Sequence, residues 1–329
     1  MSRALRRDNP VAPQWPSYTG ESQFVGTSQS GRVTVFFDPT LGQPAMQNAQ
    51  DLVRDADRVV AANDAIFGTD HGSTNVIVFA LAGKLDGSGG ADHNGCDYTT
   101  GAAIEVCSSF GNSARVSALF EAELSECNMG GDLCGASSGE ALSRWCAAVI
   151  GNNALSDFAT APTWYQRGMK DWVNQTDPTD RRAESTGCGM AFLSWMLSQG
   201  YSLSALAQQL VSLGDGGTLA QVYSSLTTNS ASNAWPAFLA AVQALPGVDS
   251  DDPFNGGPQH AHLAKLDLTK VALARKAFEL VLAAVATGKT ADQIGAEVRA
   301  FLTAKPHANM AVGCTSKSHR LLPPNEALA

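Results

Sequence analysis

The hydrophobic pattern of the chain changes near residue 112, and this change restricts the fold to a few classes. Before it, two short runs rich in β-branched and aromatic residues, 32–37 and 75–80, predict buried strands. Between them, residues 44–66 repeat apolar side chains at helical spacing, which predicts an amphipathic helix. After residue 112 the apolar residues follow a helical period almost throughout. The pattern therefore predicts an α+β fold, in which a small N-terminal α/β subdomain with a mixed sheet precedes a mainly helical subdomain.

Composition divides the rest of the chain. The N-terminal residues are rich in Pro, Ser, Gly and Arg without periodicity, and residues 83–111 are dense in Gly, Asp and Thr, which predicts an irregular edge hairpin. The predicted division is 1–31 (extended arm), 32–111 (α/β subdomain with an edge strand), 112–245 (helical subdomain), 246–262 (linker) and 263–329 (helical hairpin and tail). Helices of the helical subdomain are predicted at 113–128, from 138 onward, and at 185–199, 203–213, 217–226 and 233–244.

The charge of the chain argues against two classes of partner. Its net charge is −9, so nucleic acid and anionic membranes are not the expected partners. No run of about 18 apolar residues occurs, so no membrane span is expected. The region from His260 onward is mildly basic, which suits a homo-oligomer contact or, as the simpler alternative, a solvated tail helix. The first residues lack the apolar stretch of a signal peptide, which leaves the cytoplasm, or export after removal of a leader.

The seven cysteines include no CxxC pair, so a structural zinc ribbon is not expected. Cys96 with Cys107, and Cys127 with Cys134, are close in sequence and lie in Gly-rich surroundings, which makes them candidate disulfides of an exported protein. Buried thiols are the alternative, and the odd number leaves at least one cysteine unpaired.

Four glutamates form the most informative polar pattern. Glu123 and Glu126 are three residues apart on a predicted helix, so both carboxylates lie on the same side of it. Glu140 is in the first turn of the next helix, and Glu184 precedes a long apolar helix. Like charges at this spacing are unfavourable when partly buried, unless a cation or a shared proton relieves them. The pattern therefore predicts an acidic site built by several helices.

The order of these segments resembles the thermolysin-like peptidases, the gluzincins, over about residues 32–245. Ala122-Glu-Leu-Ser-Glu126 lies where that family has H-E-x-x-H, and Gly139-Glu-Ala-Leu-Ser-Arg144 lies where it has N-E-x-x-S-D. Upstream, Gly90-Ala-Asp-His-Asn-Gly95 is similar to the family's edge strand N-A-x-W-N-G. Downstream, residues 183–200 match the turn and helix that end in Ser-Gln-Gly. The resemblance implies a zincin-like fold.

The resemblance also implies roles for the helical residues. Glu123 takes the place of the general base, and Glu140 takes the place of the glutamate that is the third zinc ligand. The two ligand histidines are replaced, the first by Ala122, which has no donor atom, and the second by Glu126. A catalytic zinc site needs three protein ligands and an open position. Ordinary zinc peptidase activity is therefore not expected from these positions.

Further positions differ from the family or complete the site. Glu184 takes the place of the histidine that acts on the transition state, and Arg144 replaces an aspartate that supports a ligand histidine. The edge strand implies that Ala91 and Asp92 bind the substrate backbone. His93 on the same strand is the histidine placed to supply a nitrogen.

His93, Glu126 and Glu140 are therefore the predicted ligands of a divalent metal, which could be zinc, calcium or manganese. Two alternatives need no metal. His93 could be a hydrogen-bonded loop residue, and the glutamates could form a solvated network with Arg144 as counter-ion.

Three functions remain as hypotheses. The first is an inactive or repurposed relative of the metallopeptidases, a pseudoenzyme that uses its cleft to bind a peptide or protein. The second is an active hydrolase, either metal-dependent or working through paired carboxylates on a peptide or glycosidic bond. The third is a non-catalytic protein that assembles through the C-terminal hairpin.

Overall fold

The computed structural model of the chain describes residues 10–69, 72–93, 103–131, 133–255 and the single residue 293. The strands and helices below all belong to the first of two compact units, Met1–Leu268 and Thr269–Ala329. They form a five-stranded mixed sheet with helices, which confirms the predicted α+β class. The predicted hairpin at 263–329 lies outside the described residues, apart from Gln293. Among the helices that are described, none is both long enough and apolar enough to cross a bilayer.

The sheet contains three parallel strands between two antiparallel edges. The strands are β1 (Gln23–Thr27), β2 (Val33–Phe37), β3 (Thr74–Phe79), β4 (Ala91–His93) and β5 (Ala103–Cys107). Their order across the sheet is β1-β2-β3-β5-β4, with β2, β3 and β5 parallel and β1 and β4 antiparallel to their neighbours. The strand β4 at one edge agrees with the predicted edge hairpin. The strand β1 at the other edge forms within the segment that the sequence predicts as an extended arm.

The helices follow the predicted periodicity closely. They are α1 (Gly42–Phe67), α2 (Ser113–Cys127), α3 (Ser137–Ile150), α4 (Ala161–Gln166), α5 (Ala183–Ser198), α6 (Leu203–Leu213), α7 (Leu219–Leu226) and α8 (Ala234–Gln243). The short helix α4 is the one that the sequence analysis does not predict. Residues 246–255 contain turns without a helix or strand, which agrees with the predicted linker composition.

The helix α1 covers one face of the sheet because its apolar residues recur at helical spacing. Leu52, Ala56, Val59 and Ile66 are all 1% exposed or less and join the main core. The helix ends at Gly68, whose φ of 72° is in the left-handed region that glycine adopts without strain. The sheet and α1 together hold α2, whose position determines the site described below.

The opposite face of the sheet is covered by the N-terminal segment. Trp15 packs on Phe36 in a second, smaller core, with the ring centroids 5.5 Å apart. The side chain of Glu105 on β5 is fully buried beneath the same segment. Its carboxylate accepts hydrogen bonds from the backbone N–H groups of Ser17 (2.9 Å) and Tyr18 (2.6 Å) and from the Ser17 hydroxyl (2.6 Å). Glu105 therefore fixes the segment around Ser17 and Tyr18 to the strand next to the β4 edge.

Gly187 on α5 gives a direct test of this packing. A Cβ atom at Gly187 would lie 2.3 Å from the carbonyl oxygen of Thr160, the residue that precedes α4. We expect Gly187→Ala to lower the free energy of unfolding by about 2 kcal/mol, because backbone must move to admit the methyl group. Urea denaturation measures this change. Gly247→Ala is the matched control, since a Cβ there meets no atom within 4 Å; equal stability of the two variants would contradict the close contact.

Candidate functional site

The candidate site lies where the edge strand β4 meets α2 and α3. The helix α2 begins at Asn112, whose side chain accepts a hydrogen bond from the backbone N–H of Arg115. From that start, Glu123 and Glu126 fall on consecutive turns and face the end of β4. His93, the last residue of β4, reaches both carboxylates. The site therefore joins the sheet edge to the first helix of the helical subdomain.

The distances around His93 are those of a compact cluster. Its Nε2 atom lies 2.9 Å from Oε2 of Glu126 and 3.9 Å from Oε2 of Glu123. One ligand atom from each of the three residues lies within 4.8 Å of the other two, which is a spacing that one metal ion can bridge. All three side chains are largely buried, with 9–13% of their surface exposed. The structure thus brings together two of the predicted ligands, His93 and Glu126, with the predicted base, Glu123.

Glu126 is the best-fixed member of the cluster. Its second carboxylate oxygen, Oε1, accepts a hydrogen bond of 3.0 Å from the hydroxyl of Ser143, which is fully buried on α3. A partner of this kind orients a carboxylate toward a metal and holds it there. The sequence analysis does not single out Ser143, although its spacing of three from Glu140 places both on the side of α3 that faces α2.

Glu140 borders the cluster but has a second partner. It shares a hydrogen bond with Glu126, and its Oε1 accepts one from Nε of Arg144 at 2.5 Å, one helical turn away. Burial, followed by the charge of Glu126, raises the pKa of Glu140 to about 7, although Arg144 opposes this rise. Glu140 was predicted as a metal ligand, with pairing to Arg144 as the alternative, and the structure shows the pairing to Arg144.

Burial also dominates the electrostatics of Glu123. Its pKa is raised well above the ordinary value by burial, then by the charges of Glu126 and Glu140, and then by Asp92 and Asp180. A group that resists ionisation among other carboxyls is typical of a site that binds a cation or holds a proton for catalysis.

Asp180, which the sequence analysis does not single out, is near enough for its charge to raise the pKa of Glu123. It lies in the loop before α5, and burial and the charge of Glu140 raise its pKa. The loop is polar and has no periodicity, so no pattern in the sequence points to Asp180. The basic Arg181 beside it lowers the pKa only in part.

Glu184 does not join this cluster. Its carboxylate is paired with the guanidinium of Arg167, and this hydrogen bond lowers the pKa of Glu184 below its usual value. The charges that act most strongly on Glu123 do not include it. The predicted catalytic role of Glu184 thus has no support in the described contacts, because a residue 17 positions away in sequence holds the side chain elsewhere.

The predicted substrate-binding residues form an open sheet edge. Ala91 and Asp92 pair with Val106 and Glu105 of β5 on one side. Within the described ranges, no strand pairs with the other side of β4. Backbone groups at such an edge can pair with an extended peptide. Asp92 is exposed, and its carboxylate accepts a hydrogen bond from the backbone N–H of His93.

A further buried carboxyl lies on α2, two residues before Glu123. Glu121 is fully buried, and its Oε1 accepts hydrogen bonds from Nδ2 of Asn63 (2.7 Å) and the hydroxyl of Ser125 (2.9 Å). Its Oε2 has no hydrogen-bond partner among the described residues. Burial raises the pKa of Glu121 to about 8, despite these donors and the charge of Arg58. Residues two positions apart in sequence point in directions about 200° apart around the helix axis, so Glu121 faces away from the cluster.

The cysteines contradict both predicted disulfides. Cys107 and Cys127 are buried thiols, so neither the Cys96–Cys107 nor the Cys127–Cys134 bridge exists. Cys134 is disulfide-bonded, and its partner lies outside the described residues. Short spacing and Gly-rich flanks were the basis of both pairings, and neither determines which sulfur atoms the fold brings together: Cys107 and Cys127 lie in the main core as thiols.

Comparisons of the chain with protein-family models, with curated proteins and with solved structures found no match.

Proposed function

We propose that the chain has a zincin-like fold of metallopeptidase descent, and that its cleft binds a divalent cation and an extended peptide. The observation that supports this most directly is the convergence of His93, Glu123 and Glu126 from a sheet edge and a helix. In the gluzincins that the sequence resembles, an edge strand that binds the substrate backbone likewise precedes the helix that carries metal ligands. The order of β4, β5, α2 and α3 along the chain is consistent with that arrangement.

The donor set suits an intermediate cation. One imidazole with two carboxylates fits zinc or manganese, whereas calcium prefers an all-oxygen shell of six to eight ligands. The electrostatics of the carboxyl groups also favour a bound cation. Burial and the charges of neighbouring glutamates raise the pKa values of Glu123 and Glu140, and a divalent cation would relieve the repulsion among these groups. His93, Glu123 and Glu126 would hold the ion, with Ser143 orienting Glu126.

Ordinary zinc peptidase activity is not part of the proposal. Ala122 offers no ligand atom, and Glu140 is engaged by Arg144. Glu184, at the position of the transition-state histidine, is engaged by Arg167. Two of the positions that carry catalysis in the family are therefore neutralised by arginines. We infer that the cleft serves chiefly to bind a peptide along the open edge of β4.

Hydrolysis by a rebuilt site is the second candidate function. Glu123 and Glu140 hold protons at higher pH than ordinary carboxyls, and such groups can exchange a proton with a substrate near neutral pH. Two carboxyls with different pKa values could act as acid and base on a peptide or glycosidic bond.

Cation and substrate titrations test both candidates. We expect chelator-treated protein to bind one manganese or zinc ion per chain by calorimetry, and His93→Ala to weaken this binding by at least about tenfold. Extended peptides should then bind with or without turnover, and a panel of peptides and glycans measures turnover directly. Cation binding that is equal in the parent chain and in His93→Ala would contradict the proposed site, whereas turnover of any peptide or glycan on the panel would favour the second candidate.

A further inference from the structure

A cavity of about 290 Å³ lies on the other side of α3 from Ser143, among α3, the loop that follows it and residues 250–252. Its apolar wall consists of Trp145, Val149, Phe158 and Met190, together with Leu155. Binding sites for small molecules are concave, largely apolar and contain a few well-placed polar groups, with volumes from about 300 Å³ upward. This cavity is at the small end of that range.

The apolar wall is held in place by contacts among neighbouring residues. The indole N–H of Trp145 donates a hydrogen bond of 2.9 Å to the carbonyl oxygen of Met190. The guanidinium of Arg115 lies over the ring of Phe158, 4.7 Å from its centroid. The two aromatic side chains are therefore fixed before any ligand arrives, which reduces the entropy cost of binding.

Arg144 supplies a cationic group with spare hydrogen-bonding capacity. Its Nε–H donates to Glu140, and Nη1 donates to the carbonyl oxygen of Phe158 at 2.9 Å. A guanidinium carries five N–H donors in one plane. Three of them have no hydrogen-bond partner in the described part of the chain, and Arg144 lines the cavity. A fork of this kind matches a carboxylate.

Asp251 supplies the opposite charge. Its Oδ1 accepts hydrogen bonds from the backbone N–H groups of Thr160 (2.8 Å) and Ala161 (2.6 Å) and a longer one from the Thr160 hydroxyl. Its Oδ2 has no hydrogen bond within the described ranges, and the partly buried residue lines the cavity. Asp252 lines the cavity as well, and its carboxylate accepts a hydrogen bond of 2.6 Å from the hydroxyl of Ser194.

We propose that this cavity binds a free α-amino acid with an apolar side chain. The carboxylate of the ligand would meet the unused N–H groups of Arg144, and its ammonium group would meet Oδ2 of Asp251. The side chain would then lie on Trp145, Phe158 and Met190. A ligand with a single charge would use either the free N–H groups of Arg144 or Oδ2 of Asp251 but not both, and would forgo the second charge-assisted hydrogen bond. The inference needs no cation, so it does not depend on the function proposed above.

Three matched probes test the charges. Calorimetry with L-methionine, with 3-(methylthio)propylamine and with 4-(methylthio)butanoate compares the zwitterion with compounds that lack one charged group. We expect L-methionine to bind, and each of the other two to bind at least about tenfold more weakly. Binding should persist in the presence of a chelator. Equal affinity for the three probes would overturn the proposal. So would the absence of binding by all three of L-methionine, L-leucine and L-phenylalanine.

Two variants place the ligand in this cavity. Asp251→Asn keeps an acceptor for the N–H groups of Thr160 and Ala161 but removes the charge, and we expect it to weaken L-methionine binding at least about tenfold. Ala148→Trp fills the cavity and should abolish binding even where Asp251→Asn fails to fold. Asp249→Asn removes an exposed charge nearby without lining the cavity and should bind as the parent does. Unchanged binding in Ala148→Trp would place the ligand elsewhere and refute the assignment.

Discussion

Replacing Glu126 by glutamine is expected to weaken manganese or zinc binding by at least about 100-fold. Glu126 is the carboxylate nearest to His93, at 2.9 Å, and the one that Ser143 orients. The amide has the same size and can still accept a hydrogen bond from Ser143, so the fold should persist. It removes a full negative charge from the ligand shell, and a neutral amide is a much poorer ligand for either ion. A loss of this size corresponds to about 2.7 kcal/mol of binding free energy.

The control for this variant is Glu184→Gln. Glu184 is also a helical glutamate, but it pairs with Arg167 and does not contact the cluster in the described structure. Calorimetric titration of both variants, with thermal unfolding as a check of folding, gives the comparison. If Glu184→Gln lost the cation as completely as Glu126→Gln, the ligand shell would include Glu184, and the site proposed around His93 would be wrong.

Replacing Glu121 by glutamine is expected to stabilise the protein at pH 9 and to have little effect near pH 5. The pKa of this buried carboxyl is about 8 in the folded chain, well above its ordinary value. Between the two values the folded chain binds one more proton than the unfolded chain, so rising pH destabilises the fold until about pH 8. The glutamine cannot ionise, so the variant avoids this loss of stability, which is on the order of 5 kcal/mol at pH 9.

Urea denaturation of both proteins from pH 5 to 9 measures this difference. The parent curve also contains the raised pKa values of Glu123 and Glu140, so the informative quantity is the difference between the curves. Glu184→Gln serves again as control, because Arg167 lowers the pKa of Glu184 and its contribution is lost only at acidic pH. Parallel curves for Glu121→Gln and the parent would mean that Glu121 is already ionised in the folded chain.

Local spacing explains why most of the elements could be predicted. The apolar residues of α1 recur at helical spacing, so its buried face can be read from the sequence. The spacing of Glu123 and Glu126 likewise places both carboxylates on one side of α2, whatever residues surround them. The strand β1, Gln23–Thr27, has no such signal, since its short sequence is a strand only because β2 pairs with it. The same holds for α4, which is too short to show a period.

The rest of the site depends on contacts between residues distant in sequence. The carboxyl of Glu121 is held by Asn63, 58 positions earlier, and no local pattern links the two. Glu184 was predicted to be catalytic from its position in the family pattern, yet its carboxylate pairs with Arg167, which lies in another segment. Cys127 and Cys134 were paired by their short separation, whereas the fold buries Cys127 as a thiol.

The attachment of the N-terminal segment to Glu105 has a consequence for biosynthesis. Ser17 and the carboxylate that anchors it are 88 residues apart. At about 5–20 residues per second, a ribosome needs roughly 4–18 s to add that length of chain. During this interval Trp15 and Phe36 have no completed β5 beside them, so an apolar sheet face stays accessible to chaperones and to neighbouring chains. Ser17 can therefore reach its final contacts only after Glu105 has been synthesised.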